Sequence, residues 1–221
     1  MEPSTTCELL IAVPHSDSMV NMEWAIDFAG LWKRTPVKTK LLLLPEPQID
    51  VARDKAAQIS IELGATHLLF LDSDVHPPKD AIAKLMAHKL PIVSALYARR
   101  QNPSWNQMLR RSGDGFRFTP IEEGTYEPGS LVECDAVGFG CVLIETHVFK
   151  TMERPWFRWS EYYAIGGISE DFNFCMKAKQ SGFKIIVDTS IVCKHSGLIK
   201  WLPSKEKTLF EYSKVSGIID V

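Results

Sequence analysis

Two aspartates flank one serine in residues 66–78, THLLFLDSDVHPP. In an extended segment residues i and i+2 point the same way, so the carboxylates of Asp72 and Asp74 can face one point. Two such carboxylates bind a hard divalent cation, and Mg²⁺ usually completes its shell with water and substrate phosphates. The same pair could instead supply a nucleophile and an acid/base, or lie as solvated acids where a loop begins.

A second pair of acids, Glu170 and Asp171, follows the glycine-bearing segment AIGGIS. Acids in the first turn of a helix complement the helix dipole, and that explanation holds for any isolated pair. A glycine-bearing loop can also deliver a carboxylate into a cleft. There it could act as a general base towards an acceptor hydroxyl.

His195 lies in the segment VCKHSG, at the end of an apolar run. A lone histidine is more often structural, yet imidazole is a common ligand for transition metals such as Mn²⁺. Its place at a strand end makes His195 a candidate to complete a site with Asp72 and Asp74. His76 is closer to the acids in sequence, but its two following prolines favour a turn position.

Strands and helices alternate around these residues. Four apolar runs closed by turn residues predict strands: ELLIAVPHS, VKTKLLLLPEP, HLLFL and LPIVSALYA. Helical spacing between the strands predicts three inward faces: Val20, Trp24, Phe28 and Leu31; Ala52, Ala56, Ile59 and Leu63; Ile82, Leu85 and Met86. The alternation predicts a mostly parallel sheet covered on both sides, and such sheets bind ligands beyond the carboxyl ends of their strands. Asp72 and Asp74 follow such an end.

Local signals predict where these helices begin and end. Asp50 is predicted to cap the second helix and Gly64 to end it. Pro77 and Pro78 suit the first turn of the third helix. Further along, the segment SEDFNFCMKAKQSG predicts a helix that Ser169 caps, and FKIIVDTSIVCKHSG predicts a final strand pair.

Composition narrows the class of protein. The chain has 221 residues with 45% hydrophobic and 24% charged residues, and its formal net charge of −2 argues against a nucleic-acid partner. An odd number of cysteines without a CxxC pair argues against structural zinc or a disulfide framework and suits a reducing compartment. We expect a cytoplasmic protein without a secretory signal or transmembrane segment, and a peripheral membrane contact stays open.

Three segments together resemble the GT-A glycosyltransferases of the family-2-like type: LLFLDSDVHPP, GGISEDFNFCMKAKQSGFKIIVD and CKHSG. The resemblance covers roughly residues 8–200. It implies an α/β, Rossmann-like GT-A fold, with a mostly parallel central sheet flanked by helices and a smaller acceptor-side region. It also implies that the DxD motif, Asp72 and Asp74, holds Mn²⁺ or Mg²⁺ on the diphosphate of a UDP- or GDP-sugar. His195 would be a third metal ligand, and Asp171 the base in an inverting reaction, with Glu170 as its neighbour or substitute.

The same resemblance implies the rest of a donor site. The nucleotide pocket would begin at Pro14, with His15 and Ser16 on the base or ribose. The segment DVARDKAA resembles a helix that commonly reads Ala-Arg-Asn, which turns Arg53 towards the nucleotide, although Asp54 replaces the usual asparagine. Ser73 belongs to this candidate donor site. Asp135 is a candidate to bind a sugar hydroxyl, but it could equally be an acidic residue of a turn without a role in binding.

The predicted organisation is one catalytic domain over residues 1–221. Residues 1–98 would form its nucleotide-binding half, residues 99–200 its acceptor and catalytic half, and residues 201–221 a tail beginning at Trp201. The predicted function is metal-dependent transfer of a sugar from a nucleoside-diphosphate sugar to the hydroxyl of an unknown acceptor.

Three alternatives remain open at this point. A haloacid-dehalogenase-type phosphatase would use Asp72 as nucleophile and Asp74 as acid/base. Its motif usually lies near the N-terminus with threonine or glycine soon after, whereas here two strands precede it and VHPP follows. A nucleotidyltransferase would want a glycine- and lysine-rich loop that AVPHSDSMV lacks. A non-catalytic sugar-nucleotide-binding module would not need the acids at Asp72, Asp74 and Asp171.

Overall fold

The computed structural model describes residues 7–15, 20–100, 105–113, 117–160, 167–196, 200–201 and 210–211. The elements in chain order are β1 (Leu9–His15), α1 (Met22–Lys33), β2 (Thr39–Pro45), α2 (Ile49–Glu62), β3 (His67–Leu71), β4 (Val75–His76), α3 (Ala81–Ala87), β5 (Ile92–Leu96), β6 (Met108–Arg111), β7 (Phe118–Pro120), β8 (Leu131–Cys134), β9 (Ala136–Val137), β10 (Cys141–Glu145), α4 (Thr146–Thr151), α5 (Glu170–Gln180), β11 (Ile185–Val192), β12 (Lys194–His195), β13 (Lys200–Trp201) and β14 (Phe210–Glu211).

A seven-stranded sheet forms the centre, in the order β2-β1-β3-β10-β5-β11-β8. The strands β2, β1, β3, β5 and β11 run parallel, while β10 lies antiparallel between β3 and β5 and β8 is antiparallel at the edge. The predicted mostly parallel α/β sheet is confirmed. Because β1, β2 and β3 run the same way, their carboxyl ends meet at one edge, and Asp72 follows β3 there.

Alternate residues of the strands pack against helices on opposite sides of the sheet. Leu68 and Phe70 of β3 face a core that includes Ala52 and Ala56 of α2, together with residues of α4 and α5. Leu69 and Leu71 face a second core that includes residues of α1 and α3. This two-sided burial explains why β3 reads as an unbroken apolar run in the sequence. It also leaves only the strand ends to carry polar chemistry.

The predicted helix starts are partly wrong. Helix α1 begins at Met22 behind Asn21, which accepts a hydrogen bond from the Glu23 N–H, so Val20 lies outside the helix and is 48% exposed. Helix α2 begins at Ile49, which puts Asp50 in the first turn rather than at the cap. An acid in that position still complements the helix dipole, so the sequence signal was real but shifted.

Helix ends follow the sequence more closely. Gly64 has a φ of +65° directly after α2, the left-handed conformation that ends helices at glycine, as predicted. Pro77 and Pro78 do not lie in the first turn of α3. They follow the short strand β4, and the helix begins at Ala81 behind Asp80. The pairing of β4 with β12 uses the residues just before the prolines, which delays the helix.

The segment DAVGFGCVLIE, which two glycines interrupt, forms the two strands β9 and β10. The Tyr97 ring lies against the break. A Cβ at Gly140 would come within 2.9 Å of Tyr97 Cζ and 2.8 Å of Val75 Cγ2, and a Cβ at Gly138 would overlap the Tyr97 hydroxyl. The Gly140 N–H donates to that hydroxyl at 3.1 Å. The two glycines therefore let this segment approach the loop after β3.

Two smaller sheets flank the centre. One has the order β14-β13-β12-β4, and the other has the order β7-β6-β9. In the first, β12 runs antiparallel to β4 and pairs His195 with Val75 and Lys194 with His76. The predicted final strand pair corresponds to β11 and β12, but these two strands lie in different sheets, and β13 and β14 follow them. Within the residues that the structure describes, none of the helices has the length and apolar character needed to span a bilayer.

Candidate functional site

The backbone of the loop after β3 is held by hydrogen bonds from Gly140, from within the loop and from the Trp24 side chain of α1. The Asp72 N–H donates to the Gly140 carbonyl at 3.0 Å, and the Val75 N–H donates to the Asp72 carbonyl at 3.1 Å. The Trp24 indole N–H of α1 donates to the carbonyls of Asp72, at 3.1 Å, and Val75, at 3.0 Å. The backbone between Asp72 and Val75 is therefore fixed, and so are the directions in which its side chains leave it.

Asp74 lies between a histidine and an arginine. Its Oδ1 is 3.4 Å from His195 Nε2, and its Oδ2 is 2.9 Å from a terminal nitrogen of Arg100. Burial, the largest single influence, opposes ionisation of this carboxyl. The hydrogen bond and charge of His195 and the charge of Arg100 outweigh it, so the pKa of Asp74 is lowered. Asp74 is thus an anionic side chain with 30% of its surface exposed.

The orientation of His195 is set by its other ring nitrogen. Nδ1 lies 2.8 Å from the Ala98 carbonyl, which can only accept, so Nδ1 carries a proton. In a neutral ring the lone pair on Nε2 then points at Asp74. A lone pair facing a carboxylate oxygen is favourable only if the ring takes a second proton or a cation lies between them. A backbone carbonyl on one ring nitrogen also orients histidines that bind metals through the other nitrogen, so the geometry is compatible with either an ion pair or a metal ligand.

Asp72 faces the other way, towards a buried arginine. Its Oδ1 is 3.3 Å from Arg53 Nη2, while Arg53 Nη1 donates to Glu170 Oε1. Arg53 is only 4% exposed, and its guanidinium carbon lies 5.4 Å from the centre of the Phe139 ring. Among the described residues, Arg53 Nε–H has no acceptor. One cation from α2 therefore joins the loop after β3 to the start of α5.

One arginine does not neutralise all the acids around it. Burial raises the pKa of Glu170 to about 7; the Arg53 charge opposes the rise, and the nearby Asp171 adds to it. Burial also raises the pKa of Asp72, against the lowering effect of Arg53. The pKa of Arg53 itself is raised by Asp72, Glu170 and Asp171 in spite of its burial. Arg53 therefore stays charged. Glu170 is the acid of this group that gains or loses a proton near neutral pH.

Asp171 lies on the first turn of α5, partly exposed. Its Oδ1 accepts from the Ser169 hydroxyl and, at 2.8 Å, from the Phe172 N–H. Ser169 is the residue before the helix, as predicted, but its hydroxyl bonds Asp171 rather than a backbone N–H. The two neighbouring acids thus differ: Glu170 is buried on Arg53, and Asp171 stays nearer the surface.

A cleft of about 270 Å³ lies beside these residues. Six predicted donor-site residues line it: Pro14, His15, Arg53, Asp72, Ser73 and Asp74. Glu46, Pro47 and Ile49 also line it and were missed. Glu46 follows the carboxyl end of β2, so the strand-end rule that singled out Asp72 would have found it too.

Of the predicted site residues that the structure describes, four do not line this cleft: His195, Glu170, Asp171 and Asp135. Asp135 accepts from the Arg111 N–H at 2.8 Å and pairs with Lys179. It lines a separate cleft of about 250 Å³ between the β6–β7 hairpin and α5, which shares no lining residue with the first. This placement suits the turn-acid explanation better than a contact with a donor sugar at Asp74. Ser16 lies outside the residues that the structure describes.

The predicted metal ligands come together only in part. In the described portion of the chain, no group of three or more His, Cys, Asp or Glu side chains is placed to hold a metal ion. Asp74 and His195 meet, but the Asp72 carboxylate is engaged by Arg53. One carboxylate and one imidazole fit Mn²⁺ or Mg²⁺ when substrate phosphates and water supply the other ligands. The residues therefore fit a two-ligand protein site rather than the three-ligand site expected from the sequence.

The fold is similar to solved structures, although no protein-family model and no curated protein matches the sequence. The structure of A197 from STIV superposes with a TM-score of 0.62 and 16% identity, covering 96% of this chain and 98% of that one. The structure of GalNAc-T7 with UDP, GalNAc and Mn²⁺ superposes with a TM-score of 0.54 and 14% identity, covering 86% of this chain and 44% of that one. These similarities confirm the predicted GT-A fold class.

Proposed function

We propose that this protein is a metal-dependent glycosyltransferase that uses a nucleoside-diphosphate sugar. The observation that carries the proposal is the Asp74–His195 pair at the rim of a cleft that also contains Arg53. This site lies at the carboxyl edge of an α/β sheet, where ligands usually bind. Its oxygen and nitrogen ligands suit a metal ion, and the buried cation Arg53 suits the diphosphate that the metal would hold. The fold similarity to GalNAc-T7, solved with UDP, GalNAc and Mn²⁺, supports the same assignment.

Asp74 Oδ1 and His195 Nε2 would hold the cation in this proposal. When bound, Mn²⁺ or Mg²⁺ would neutralise charge that develops on the departing diphosphate. Arg53 supports the same end of the cleft, because it lines the cleft and its guanidinium engages Oδ1 of Asp72. Pro14, His15 and Ser73 would line the nucleoside end, with Glu46 as an addition to the predicted set.

Asp171 is the proposed base, because it is partly exposed where Glu170 is buried. In an inverting reaction the acceptor oxygen bonds to the anomeric carbon as the bond to the diphosphate breaks. Asp171 takes the acceptor proton, and the nucleoside diphosphate leaves. Glu170 is assigned a supporting role: it fixes Arg53 and thereby Asp72.

The contact between Asp72 and Arg53 argues against the phosphatase alternative. A nucleophilic aspartate must offer a free oxygen to a phosphorus atom, whereas here the Arg53 guanidinium engages Oδ1 of Asp72. The proposed organisation keeps the predicted halves, residues 1–98 for the nucleotide and residues 99–200 for the acceptor. The proposed partners are a UDP- or GDP-sugar and an acceptor hydroxyl.

A panel of UDP- and GDP-sugars tests the proposal. Each donor is incubated with the protein and Mn²⁺ or EDTA, with simple saccharide acceptors, and the release of nucleoside diphosphate is measured. We expect Mn²⁺-dependent release for at least one donor, and a loss of about 100-fold or more in Asp171→Asn with donor binding retained. Release that is equal in EDTA would refute metal dependence. Tight donor binding without release would favour the binding module.

A further inference from the structure

Three elements meet behind the metal-binding pair through one hydrogen-bonded chain of side chains. Asp27 of α1 lies with its Oδ2 2.8 Å from His76 Nδ1, and His76 Nε2 contacts the Ser196 hydroxyl. His76 belongs to β4, and Ser196 directly follows β12. None of these residues lines the cleft described above, and the proposed reaction does not use them.

The Asp27 carboxylate determines which atoms donate and which accept in this series of hydrogen bonds. An ionised Asp27 can only accept, so His76 donates from Nδ1 and its Nε2 then accepts from the Ser196 O–H. The His76 side chain is 1% exposed, while that of Asp27 is 34% exposed. The same residue types form nucleophilic triads in hydrolases, but a substrate cannot reach an imidazole buried to this degree. The buried imidazole makes this chain a support rather than a reaction centre.

Ser196 is anchored a second time, to the metal-binding loop itself. Its N–H donates to the Asp74 carbonyl at 2.7 Å. The strand pairing also places His195 beside Val75 and Lys194 beside His76. His195 is therefore held between a fixed residue on each side, and its Nε2 is set against Asp74. The Nδ1 bond to Ala98 fixes the remaining rotation of the ring.

Helix α1 supplies both clamps on this region. Trp24 and Asp27 are three residues apart and so lie on the same face of the helix. The Trp24 indole holds the carbonyls of Asp72 and Val75, and Asp27 holds His76. A helix that does not line the cleft thus fixes the loop after β3 and the strand β4, and β4 in turn pairs with β12, which carries His195.

We infer that Asp27, His76 and Ser196 are positioning residues that hold His195 in register for metal ligation opposite Asp74. This inference rests on the proposed function, since it assumes that Asp74 and His195 bind the cation. Asp27, His76 and Ser196 lie far apart in sequence and would act on the metal only by holding the backbone and ring of His195. Removing them should loosen the histidine and leave the carboxylate in place.

Mn²⁺ itself is the probe for the test. Its affinity is measured by the loss of the free-ion electron paramagnetic resonance signal, and ligation by imidazole is read from ¹⁴N modulation of the electron spin echo. We expect the wild-type protein to bind Mn²⁺ with a clear nitrogen signal. Ser196→Ala should bind it roughly 10- to 100-fold more weakly, the loss typical of an outer-shell partner, and show a weakened nitrogen signal. Ser196→Thr keeps the hydroxyl and should recover both.

Matched variants separate this effect from a general loss of structure. Ser190→Ala changes an exposed serine of β11 and should leave the affinity and the nitrogen signal unchanged. Asp27→Asn alters the partly exposed end of the chain, which makes misfolding of this variant less of a concern, and should shift both readouts in the same direction as Ser196→Ala. Thermal unfolding of every variant verifies that it is folded.

Two outcomes overturn the inference, and they differ. If the wild type binds Mn²⁺ with a nitrogen signal and Ser196→Ala and Asp27→Asn match it in both readouts, the positioning role is wrong and the metal site stands. If the wild type shows no Mn²⁺ binding, or binding without a nitrogen signal, the Asp74–His195 metal site of the proposed function fails, and the inference fails with it.

Discussion

Asp72 and Asp74 are separated by one residue, yet they belong to two electrostatically different regions. The end proposed to bind the metal, called the metal end below, contains Asp74, His195 and Arg100, keeps partial contact with solvent, and lowers the pKa of its carboxyl. The arginine end contains Asp72 and the buried pair Arg53 and Glu170. The pKa of both acids is raised there, that of Glu170 to about 7, although the Asp72 side chain is 29% exposed.

The difference follows from how each region balances charge. At the metal end two basic side chains surround one acid, so the acid stays ionised and can bind a cation. At the arginine end several acids surround one guanidinium. Their negative charge exceeds its positive charge, which favours a proton on Glu170. The first arrangement suits ligand binding, and the second ties α2, the loop after β3 and α5 into one unit. Variants of each end should therefore fail in different ways.

Arg53→Met should produce the largest effect, on stability. It leaves Asp72 and Glu170 without their shared cation, and removing one partner of a buried ion pair typically costs about 3–5 kcal/mol of unfolding free energy. Urea unfolding at neutral pH measures the change. Arg154→Met is the control, because Arg154 pairs with Asp54 through a side chain that is 52% exposed and should cost no more than about 1 kcal/mol. Equal losses in the two variants would contradict the distinction drawn between buried and exposed arginines.

Asp74→Asn should mainly affect metal binding. It removes the charged oxygen ligand, so we expect Mn²⁺ affinity to fall by about 100-fold, equivalent to about 2.7 kcal/mol of binding free energy. Stability should change far less than in Arg53→Met. Isothermal titration with Mn²⁺ measures the affinity, and Asp80→Asn, which changes an exposed acid paired with Lys84, should bind as the wild type does. Unaltered affinity in Asp74→Asn would remove this residue from the metal site.

The pH dependence of stability should reveal the arginine end. The pKa of Glu170 is about 7 in the folded protein and near its ordinary value of 4.5 when unfolded. Between these values the folded state binds more protons, so the unfolding free energy falls as pH rises through the window, by on the order of 1–3 kcal/mol. The lowered pKa of Asp74 acts only at more acidic pH.

Glu170→Gln should flatten this dependence, because the amide does not titrate. Urea unfolding of both proteins at pH 5 and pH 8 provides the measurement. A wild-type slope that persists unchanged in the variant would assign the titration to another group. His88→Gln is a suitable control, since its partner Asp188 has a lowered pKa and lies away from the arginine end.

Arg100→Gln should have the smallest effect and the opposite sign. Arg100 is 53% exposed and pairs with the Asp74 oxygen that does not face His195. Because an arriving cation must share that carboxylate, we expect Mn²⁺ alone to bind a few-fold more tightly to the variant, with the gain lost at high salt. Titrations at low and high ionic strength verify this. Weaker binding at low salt would mean that Arg100 supports the site.

The sequence predicted the local features well. The run of leucines and phenylalanine in β3 could be satisfied only by burial on both sides, and its end at Leu71 placed Asp72 and Asp74 at the ligand edge. The same strand-end logic singled out His195, which the structure places beside Asp74; its role in the site stays a prediction. Gly64 ends α2 as predicted, because the chain there needs the positive φ that glycine adopts without strain.

The sequence alone could not predict which side chains far apart along the chain would contact each other. Arg53 and Glu170 are 117 residues apart, and no spacing rule connects them. The expectation that Asp72 would be a metal ligand ignored this partner. Asp135 carried a plausible polar signal at a strand start, but the packing of α5 gave it Lys179 instead. His76 was assigned to a turn, since the partner that makes it structural, Ser196, comes 120 residues later.

Donor binding with and without metal tests the central claim most directly. Isothermal titration of UDP- and GDP-sugars is carried out on the wild type and Asp74→Asn, in Mn²⁺ and in EDTA. The account predicts that at least one donor binds the wild type in Mn²⁺, and that EDTA or Asp74→Asn each weakens binding by at least about tenfold, 1.4 kcal/mol. Binding of equal strength in Mn²⁺ and EDTA, or no binding of any donor, would contradict it.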